Sequence, residues 1–361
     1  MTRAAQVMLD PQALRHNFQR VRQCAPRSRV LAVIKDNGYG HGMVATARAL
    51  GEADGFAVAC LEEALALRNS GIRKTIVMLS GYFGREELSV IADHDLTVVL
   101  HHRSQLQVLE ASDPYAPIRL WIKLNTGMNR LGFRPAQLAE VWARLRASGK
   151  VNMESVVLMT HLASADDRQD PATLKQLEVF QGAVRGYDLP LSIANSAGVL
   201  GWPQCHADWV RPGLMLYGMS PFTDTLAADH DLRPVMTLRS RLIALQECRS
   251  GERIGYGGSW VCPDNMPVGI VAIGYGDGYP RGIGAGTTVL VNGHQVPVIG
   301  RVSMDMLAVD LRTHSDARVG DDVTLWGRGL AVEQIARAAG RIPYELTCGI
   351  AARVRRIEVR G

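Results

Sequence analysis

From about residue 30 to about residue 217 the chain alternates short apolar runs with longer amphipathic ones. Eight apolar runs can be counted: Val30–Ile34, Gly55–Cys60, Thr75–Leu79, Leu96–Leu100, Ile118–Leu124, Glu154–Thr160, Leu191–Ala194 and Trp209–Tyr217. A strand buried on both faces reads as an unbroken apolar run, whereas a helix covering it carries apolar residues with a period of about 3.6. The alternation therefore predicts parallel strands each followed by a helix, with helices expected at Leu61–Asn69, Pro135–Ser148 and Pro171–Tyr187. Eight consecutive units favour an α/β architecture with a closed (β/α)8 TIM barrel. An open, doubly wound sheet is the alternative that this pattern alone leaves standing.

Beyond about Asp231 the texture changes. Extended segments at Val235–Leu245, Pro267–Tyr275, Thr287–Val291, Gln295–Ile299, Met306–Leu311 and Asp322–Leu325 alternate with Gly-containing turns, and a short helix is expected at Ala331–Ala339. The reading divides the chain into a barrel domain, residues 1–230, and a mostly β C-terminal domain, residues 231–361. Pro297 cannot donate to a ladder, so its strand is expected at a sheet edge. Gln6–Asp10 lies outside the series of eight and is expected to pair with the second domain.

Composition narrows the functional classes. The net charge of +5 arises from 40 basic and 35 acidic residues mixed along the chain, with no like-charge block that would serve as a nucleic-acid or membrane arm. Six cysteines, Cys24, Cys60, Cys205, Cys248, Cys262 and Cys348, include no CxxC pair, so neither a zinc site nor a disulfide framework is expected. A reducing, cytoplasmic setting follows. The opening MTRAAQVMLD has no apolar core and no later stretch suits a bilayer, so neither export nor membrane insertion is expected.

Barrel enzymes carry their chemistry at the C-terminal ends of strands. The first apolar run ends in Lys35-Asp36-Asn37-Gly38-Tyr39-Gly40-His41-Gly42, which puts an amine directly after a buried segment. Partial burial there disfavours the charged amine and favours an imine with a carbonyl, although a lysine at a strand end can equally be a solvated rim charge. Lys123 and Arg130 follow the fifth run, His161 the sixth, Asn195 and Ser196 the seventh, and Arg211-Pro212-Gly213 belongs to the eighth. Small residues and amides at Asn195, Ser196, Gly198, Gly213 and Leu214 occupy the last two strand ends, where barrels often hold phosphate; ordinary turn residues are the plain alternative. His161 could be a hydrogen-bonded core histidine, and adjacent His101 and His102 point opposite ways, so no metal is assigned. Gly274–Tyr279 looks like a nucleotide loop, but no amphipathic helix follows, so it reads as a turn presenting Tyr275. Tyr256, set between Gly255 and Gly257, reads locally as a turn aromatic.

In order and over nearly the whole chain these segments resemble the alanine racemase family. VIKDNGYGHG is similar to the family's lysine motif, which implies Lys35 as the pyridoxal 5′-phosphate lysine and catalytic base and Tyr39 as a donor to the phosphate. WIKLNTGMNRLGF implies Lys123, a lysine often carbamylated in the family, and Arg130, directed at the substrate carboxylate. MTHLASAD, ANSAG and VRPGLMLYG imply His161, Asn195, Ser196, Arg211, Gly213 and Leu214 as cofactor contacts. IGYGGSW, IGYGDGYPR and GRVSMDM imply Tyr256 as the second catalytic base, with Tyr275, Met304 and Asp305 at the substrate. The resemblance implies a homodimer in which Tyr256 and Met304 act in trans.

Departures occur at Asp36 and Gly38, where alanines are usual, at Asn125, where an aspartate is frequent, and at Ala352, where some relatives place a tyrosine. The last implies a wider mouth and slow turnover of serine or other amino acids. Racemisation needs a proton removed on one face and returned on the other, which two fixed bases achieve without crossing the ring plane. A Tyr256–His161–Arg211 chain is expected to assist the phenol, and Arg211 on the pyridine nitrogen to restrain transamination. The competing readings are a broader-specificity racemase, a barrel-type decarboxylase, and a cofactor-carrying binding protein, which would need only the barrel.

Overall fold

In the computed structural model, which describes residues 3–114, 116–284 and 286–359, all eight apolar runs form barrel strands. They are Arg29–Val33, Gly55–Val58, Thr75–Met78, Thr97–Leu100, Arg119–Lys123, Val157–Met159, Leu191–Ser192 and Trp209–Val210. Neighbours pair in parallel, and Arg29 opposite Trp209 closes the ring. The strands stop earlier than the apolar runs do. In the eighth, Pro212 has no amide to donate and Leu214–Tyr217 winds into a 3-10 turn, leaving the strand at Trp209–Val210.

The helices follow from local chemistry. Pro11–Cys24 starts where Asp10 accepts from the amides of Gln12 and Ala13 at 2.9 and 3.0 Å, with Pro11 at the position that needs no donor. Its Leu14, Phe18 and Val21 face inward at helical spacing, each contributing roughly 1.5–3 kcal/mol of burial. Leu61–Asn69 has the expected bounds, Pro135–Ser148 divides into a 3-10 turn and the helix Leu138–Ser148, and the third helix is shortened to Ala172–Val184.

The C-terminal domain is organised by one long strand, Met236–Cys248. Its first part pairs with Gln6–Leu9 and Asp322–Trp326, and after a bulge at Leu242–Ala244 it turns to Met266–Val271. The expected strand through Tyr275 therefore ends at Val271, and Tyr275 sits in a 3-10 turn. Gln6–Leu9 also pairs in parallel with Arg355–Glu358, so both ends of the chain enter this sheet.

The expectation for Pro297 is corrected: its strand, His294–Ile299, is internal, between Thr288–Val291 and Leu307–Asp310. The proline survives there because Val298 donates toward Thr287 at 2.8 Å, so the residue before it would point its amide the other way. Pairing on that other side begins only at Val298, so no ladder bond is lost.

Two contacts lock the domains together beside the barrel mouth. The buried Glu333, on the helix Val332–Ala338, accepts from the amides of Ser220 at 2.9 Å and Ala227 at 3.1 Å. Gly40 lies so close to the helix Pro343–Cys348 that a Cβ would fall 2.0 Å from the Thr347 carbonyl oxygen. Glu333→Ala strips the acceptor from two buried amides, at about 1–3 kcal/mol each. Its thermal midpoint falls by several degrees, while Glu333→Gln, which keeps a carbonyl acceptor, recovers most of the loss. Equal midpoints for the two variants in a calorimetric scan would contradict this role.

Candidate active site

Immediately after Lys35 the backbone makes a left-handed turn, with φ of +53° at Asp36, +51° at Asn37, +64° at Gly38 and +52° at Tyr39. Asp, Asn and Gly are the residues that enter this region most readily. The departures at Asp36 and Gly38 therefore suit the backbone they occupy, and Tyr39 carries most of the strain.

The turn is tied down around its circumference. Gly38 donates to Ile34 at 2.9 Å, Met43 to the Asn37 side chain at 3.0 Å, and Asp36 to Glu63 at 2.6 Å. His41 Nδ1–H donates to the carbonyls of Tyr39 at 2.9 Å and Gly38 at 3.1 Å. Burial pulls the His41 imidazole down to about 4, so it holds this turn as a neutral ring. The Tyr39 ring is packed against Tyr217 and Tyr344, with centroids 4.9 and 5.5 Å away.

Lys35 and Tyr39 line a cavity of about 820 Å³ at the C-terminal mouth of the barrel, shared with Lys123, Arg130, His161, Asn195, Ser196, Arg211, Gly213 and Leu214. Ten residues singled out in the sequence thus converge on one space. At its floor Arg211 is 3% exposed. It donates to Ser192 Oγ at 2.7 Å, to the carbonyls of Thr160 at 2.6 Å and Ile193 at 3.2 Å, and to His161 Nδ1 at 3.4 Å. Burial lowers the guanidinium to about 10, which leaves it charged at neutral pH. His161 is held far below its ordinary range, first by burial and then by the charges of Arg211, Lys123, Arg130 and Lys35. A neutral ring accepting at Nδ1 keeps its proton on Nε2. Lys123 is pulled down to about 8 by burial, then by Arg211, Arg130 and Lys35.

At the opposite side the lining is shaped for an anion. Ser196 Oγ accepts from Gly213 N–H at 2.9 Å and Met215 N–H at 3.2 Å, which brings the seventh and eighth strand ends together. Asn195 caps the short helix Ser196–Gly201 by accepting from Gly198 at 3.0 Å. A Cβ on Gly213 would lie 2.6 Å from Tyr39 Oη, so only glycine lets that hydroxyl approach the segment. Burial keeps the Tyr39 phenol protonated and therefore a donor. These groups fit a phosphate ester beside Lys35.

Tyr256, Tyr275, Met304 and Asp305 do not line this cavity. They stand on the β domain, with Tyr256 69%, Tyr275 41% and Met304 53% exposed. Tyr256 occupies a turn between the short strands Arg253–Ile254 and Trp260–Val261. Tyr275 and Met304 are brought together by Tyr275 N–H to Ser303 at 3.1 Å and Gly276 N–H to Met304 at 2.9 Å. Asp305 bonds to Arg3 and Arg353. Ala352 is exposed and outside the cavity wall of its own chain.

Sequence reasoning missed Ser192, Thr160 and Gln176. Ser192 is a polar interruption of an apolar run, which is a usable signal. Gln176 donates to the His161 carbonyl at 3.0 Å and accepts from Ala163 N–H at 2.8 Å, but nothing in its helix marks it. The paired histidines have local work: His101 bonds the Ser80 carbonyl, and His102 caps the helix Arg103–Glu110. No helix among the described residues is long and apolar enough to cross a membrane.

A closed barrel with a lysine at its first strand end and a cation-lined mouth, continued by an antiparallel β domain, defines a two-domain lysine-centred barrel enzyme. The model of the alanine racemase N-terminal domain matches residues 9–221, and that of the C-terminal domain residues 235–358. An alanine racemase of Nitrosococcus oceani is 53% identical over 97% of this chain and 98% of its own; one of Halorhodospira halophila is 48% identical over 100% and 99%. The crystal structure of the biosynthetic alanine racemase from Pseudomonas aeruginosa superposes with a TM-score of 0.96 at 44% identity, covering 99% of this chain and 100% of that one. The chain belongs to the alanine racemase family, and it is an isomerase of alanine. The match of the second domain speaks against a carrier built from the barrel alone.

The burial of Lys123, reinforced by the cations around it, has a measurable sign. In the unfolded chain this amine keeps its proton up to its ordinary value of 10.5, but in the fold only up to about 8. It therefore penalises folding fully below about 8, and stability rises as pH passes from 8 toward 10.5. In carbon-dioxide-free buffer Lys123→Met is expected to be the more stable protein at pH 7, with its advantage fading across that window. A difference independent of pH in denaturant titrations would rule this out.

Proposed function

We propose that the chain racemises alanine with pyridoxal 5′-phosphate carried on Lys35, and that Lys35 and Tyr256 of a second copy are the two bases. The observation that carries this reading is the convergence of Lys35, Tyr39, Arg211 and the Ser196–Leu214 groups on one cavity, while Tyr256 stands exposed on the β domain. Tyr39 Oη, the Ser196 hydroxyl and the Leu214 amide would hold the phosphate, with the Gly213 amide, which donates to Ser196 Oγ, fixing that hydroxyl beside it and Asn195 shaping the segment. Arg211 would donate to the pyridine nitrogen. When bound, the group supplies a conjugated ring that delocalises the electron pair left by a broken Cα–H bond.

Arg130 orients the alanine carboxylate, assisted by Tyr275 and Met304 of the second copy, with Asp305 holding the Met304 loop through its arginine pairs. Lys35 Nζ then removes or returns the α-proton on one face, and Tyr256 Oη does so on the other. Because Arg211 occupies His161 Nδ1, the Nε2–H of His161 is left to donate to the Tyr256 oxygen and stabilise its phenolate. An arginine cannot readily surrender its proton, so a pyridine nitrogen held by Arg211 would stay unprotonated, which would restrain transamination. Lys123, pulled down to about 8, has a far larger neutral fraction near pH 7 than an ordinary lysine and is suited to take up carbon dioxide as a carbamate that would fix Arg130. The homodimer would share its sites between subunits, and the six free cysteines suit a reducing, cytoplasmic setting.

Mixing subunits tests the shared site. Lys35→Ala and Tyr256→Phe are each expected to be inactive alone. Random exchange into a two-fold dimer puts both lesions in one site and neither in the other, so the mixture should recover about a quarter of wild-type activity. No recovery, with exchange verified by mass, would place both bases in one chain. Gly213→Ala, which pushes the Tyr39 hydroxyl aside, should weaken pyridoxal phosphate binding about tenfold or more by loss of a charged hydrogen bond. Absorbance titration of the apoprotein reads this, and unchanged affinity would contradict the phosphate assignment.

A further inference from the structure

The turns carrying Tyr275 and Met304 expose those two side chains. Besides the backbone bond from Ala351 N–H to the Asp277 carbonyl at 3.1 Å and the buried ring of Tyr279 stacked on Trp326, their attachment to the body of the domain is ionic. Asp277, on the Tyr275 loop and with a fully buried carboxylate, accepts from Gly274 N–H at 3.0 Å, from Arg3 Nε at 2.6 Å and from Arg353 Nε at 2.9 Å. A second Arg3 nitrogen also bonds Asp277. Asp305, next to Met304 on the other loop, accepts from Arg3 at 3.1 Å and Arg353 at 2.7 Å, and Arg353 also reaches the Met304 carbonyl at 3.5 Å. Each loop thus supplies one carboxylate, and each arginine bridges both loops.

The topology explains why two residues 350 positions apart in the chain can do this. Gln6–Leu9 and Arg355–Glu358 pair in parallel, so the segments entering those strands run side by side. Arg3 precedes one strand and Arg353 the other. Gly276 completes the arrangement, since a Cβ there would lie 2.5 Å from an Arg353 Nη and 3.1 Å from the Met304 side chain.

We propose that Arg3 and Arg353, acting through Asp277 and Asp305, are positioning residues that fix the Tyr275 and Met304 loops for the substrate in the partner's barrel. This rests on the reading that those loops reach the substrate in trans. Bidentate guanidinium bridges hold planar geometry, which suits them to fix two loops at once. Loss of one arginine leaves the chemistry at Lys35 and Tyr256 intact and loosens only the alignment of the carboxylate-binding side. The effect belongs in KM for alanine, not in kcat or in the cofactor.

The test uses the holoenzyme. Arg3 is at the partly exposed N-terminal segment, so Arg3→Met should fold normally and raise KM for alanine about fivefold, the population change produced by losing about 1 kcal/mol of alignment. Its kcat and visible spectrum should stay near wild type, its thermal midpoint should fall because Arg353 alone then faces the buried Asp277 carboxylate, and Arg3→Lys, which keeps one ion pair, should recover part of the KM. Met304→Ala is the control for the underlying reading. If KM is unmoved in Met304→Ala, the loop does not reach the substrate and the reading of the loop fails. If KM rises in Met304→Ala but not in Arg3→Met, the loop reading stands and the ionic positioning is wrong.

Discussion

A guanidinium buried with no carboxylate beside it governs the barrel mouth. Arg211 is satisfied by carbonyls and hydroxyl oxygen from the sixth and seventh strand ends, which hold its geometry but leave its charge uncompensated. Lys123, Arg130 and Lys35 add to the same field, which together with burial, the larger cause, pulls Lys123 and His161 below their ordinary ranges. Of the acidic residues on the cavity wall, Glu333 is already engaged by two amides. A site of this kind is built for an anionic ligand, because cations in a space of low dielectric repel one another until a counter-charge enters. A phosphate, a substrate carboxylate and a carbamate on Lys123 would each supply one.

The second domain is more than a cap. Its Glu333 helix and the Pro343–Cys348 helix press on the loops around Lys35 and Ser220, fixing the rim of the cavity from within the same chain. Its far surface carries Tyr256, Tyr275 and Met304 exposed, where they have no partner groups in their own barrel. On the proposed reading one domain braces its own site and offers groups to another, which would make a dimer a chemical requirement and not an accessory. The pairing of both chain ends in one sheet places arginines under that surface and links its rigidity to the fold of the whole chain.

How much of this was legible depends on the physics of each signal. Barrel strands are buried on both faces, so their apolar runs stand out without help from context, and all eight did. Lys35, Lys123, His161 and Arg211 were visible because the strand ends of a barrel are known places to look. Pro297 misled because a residue's donor direction within a ladder is invisible in a sequence. The left-handed turn after Lys35 was half written, in Asp36, Asn37 and Gly38, but its extension through Tyr39 needed the packing of two aromatic rings. Gln176, Glu333 and Arg3 act across long sequence separations and carry no local mark. Tyr256 was a plain turn aromatic by its own surroundings, and only the likeness to a family gave it a role.

The central claim is that Lys35 is the amine on which the cofactor is carried in this cation-rich mouth. Treating the purified, yellow protein with borohydride, digesting it and locating the pyridoxyl mass by tandem mass spectrometry tests that directly. One modified peptide is expected, with the label on Lys35. A label on Lys123 or any other lysine, or no covalent label on a protein that still racemises alanine, would contradict it.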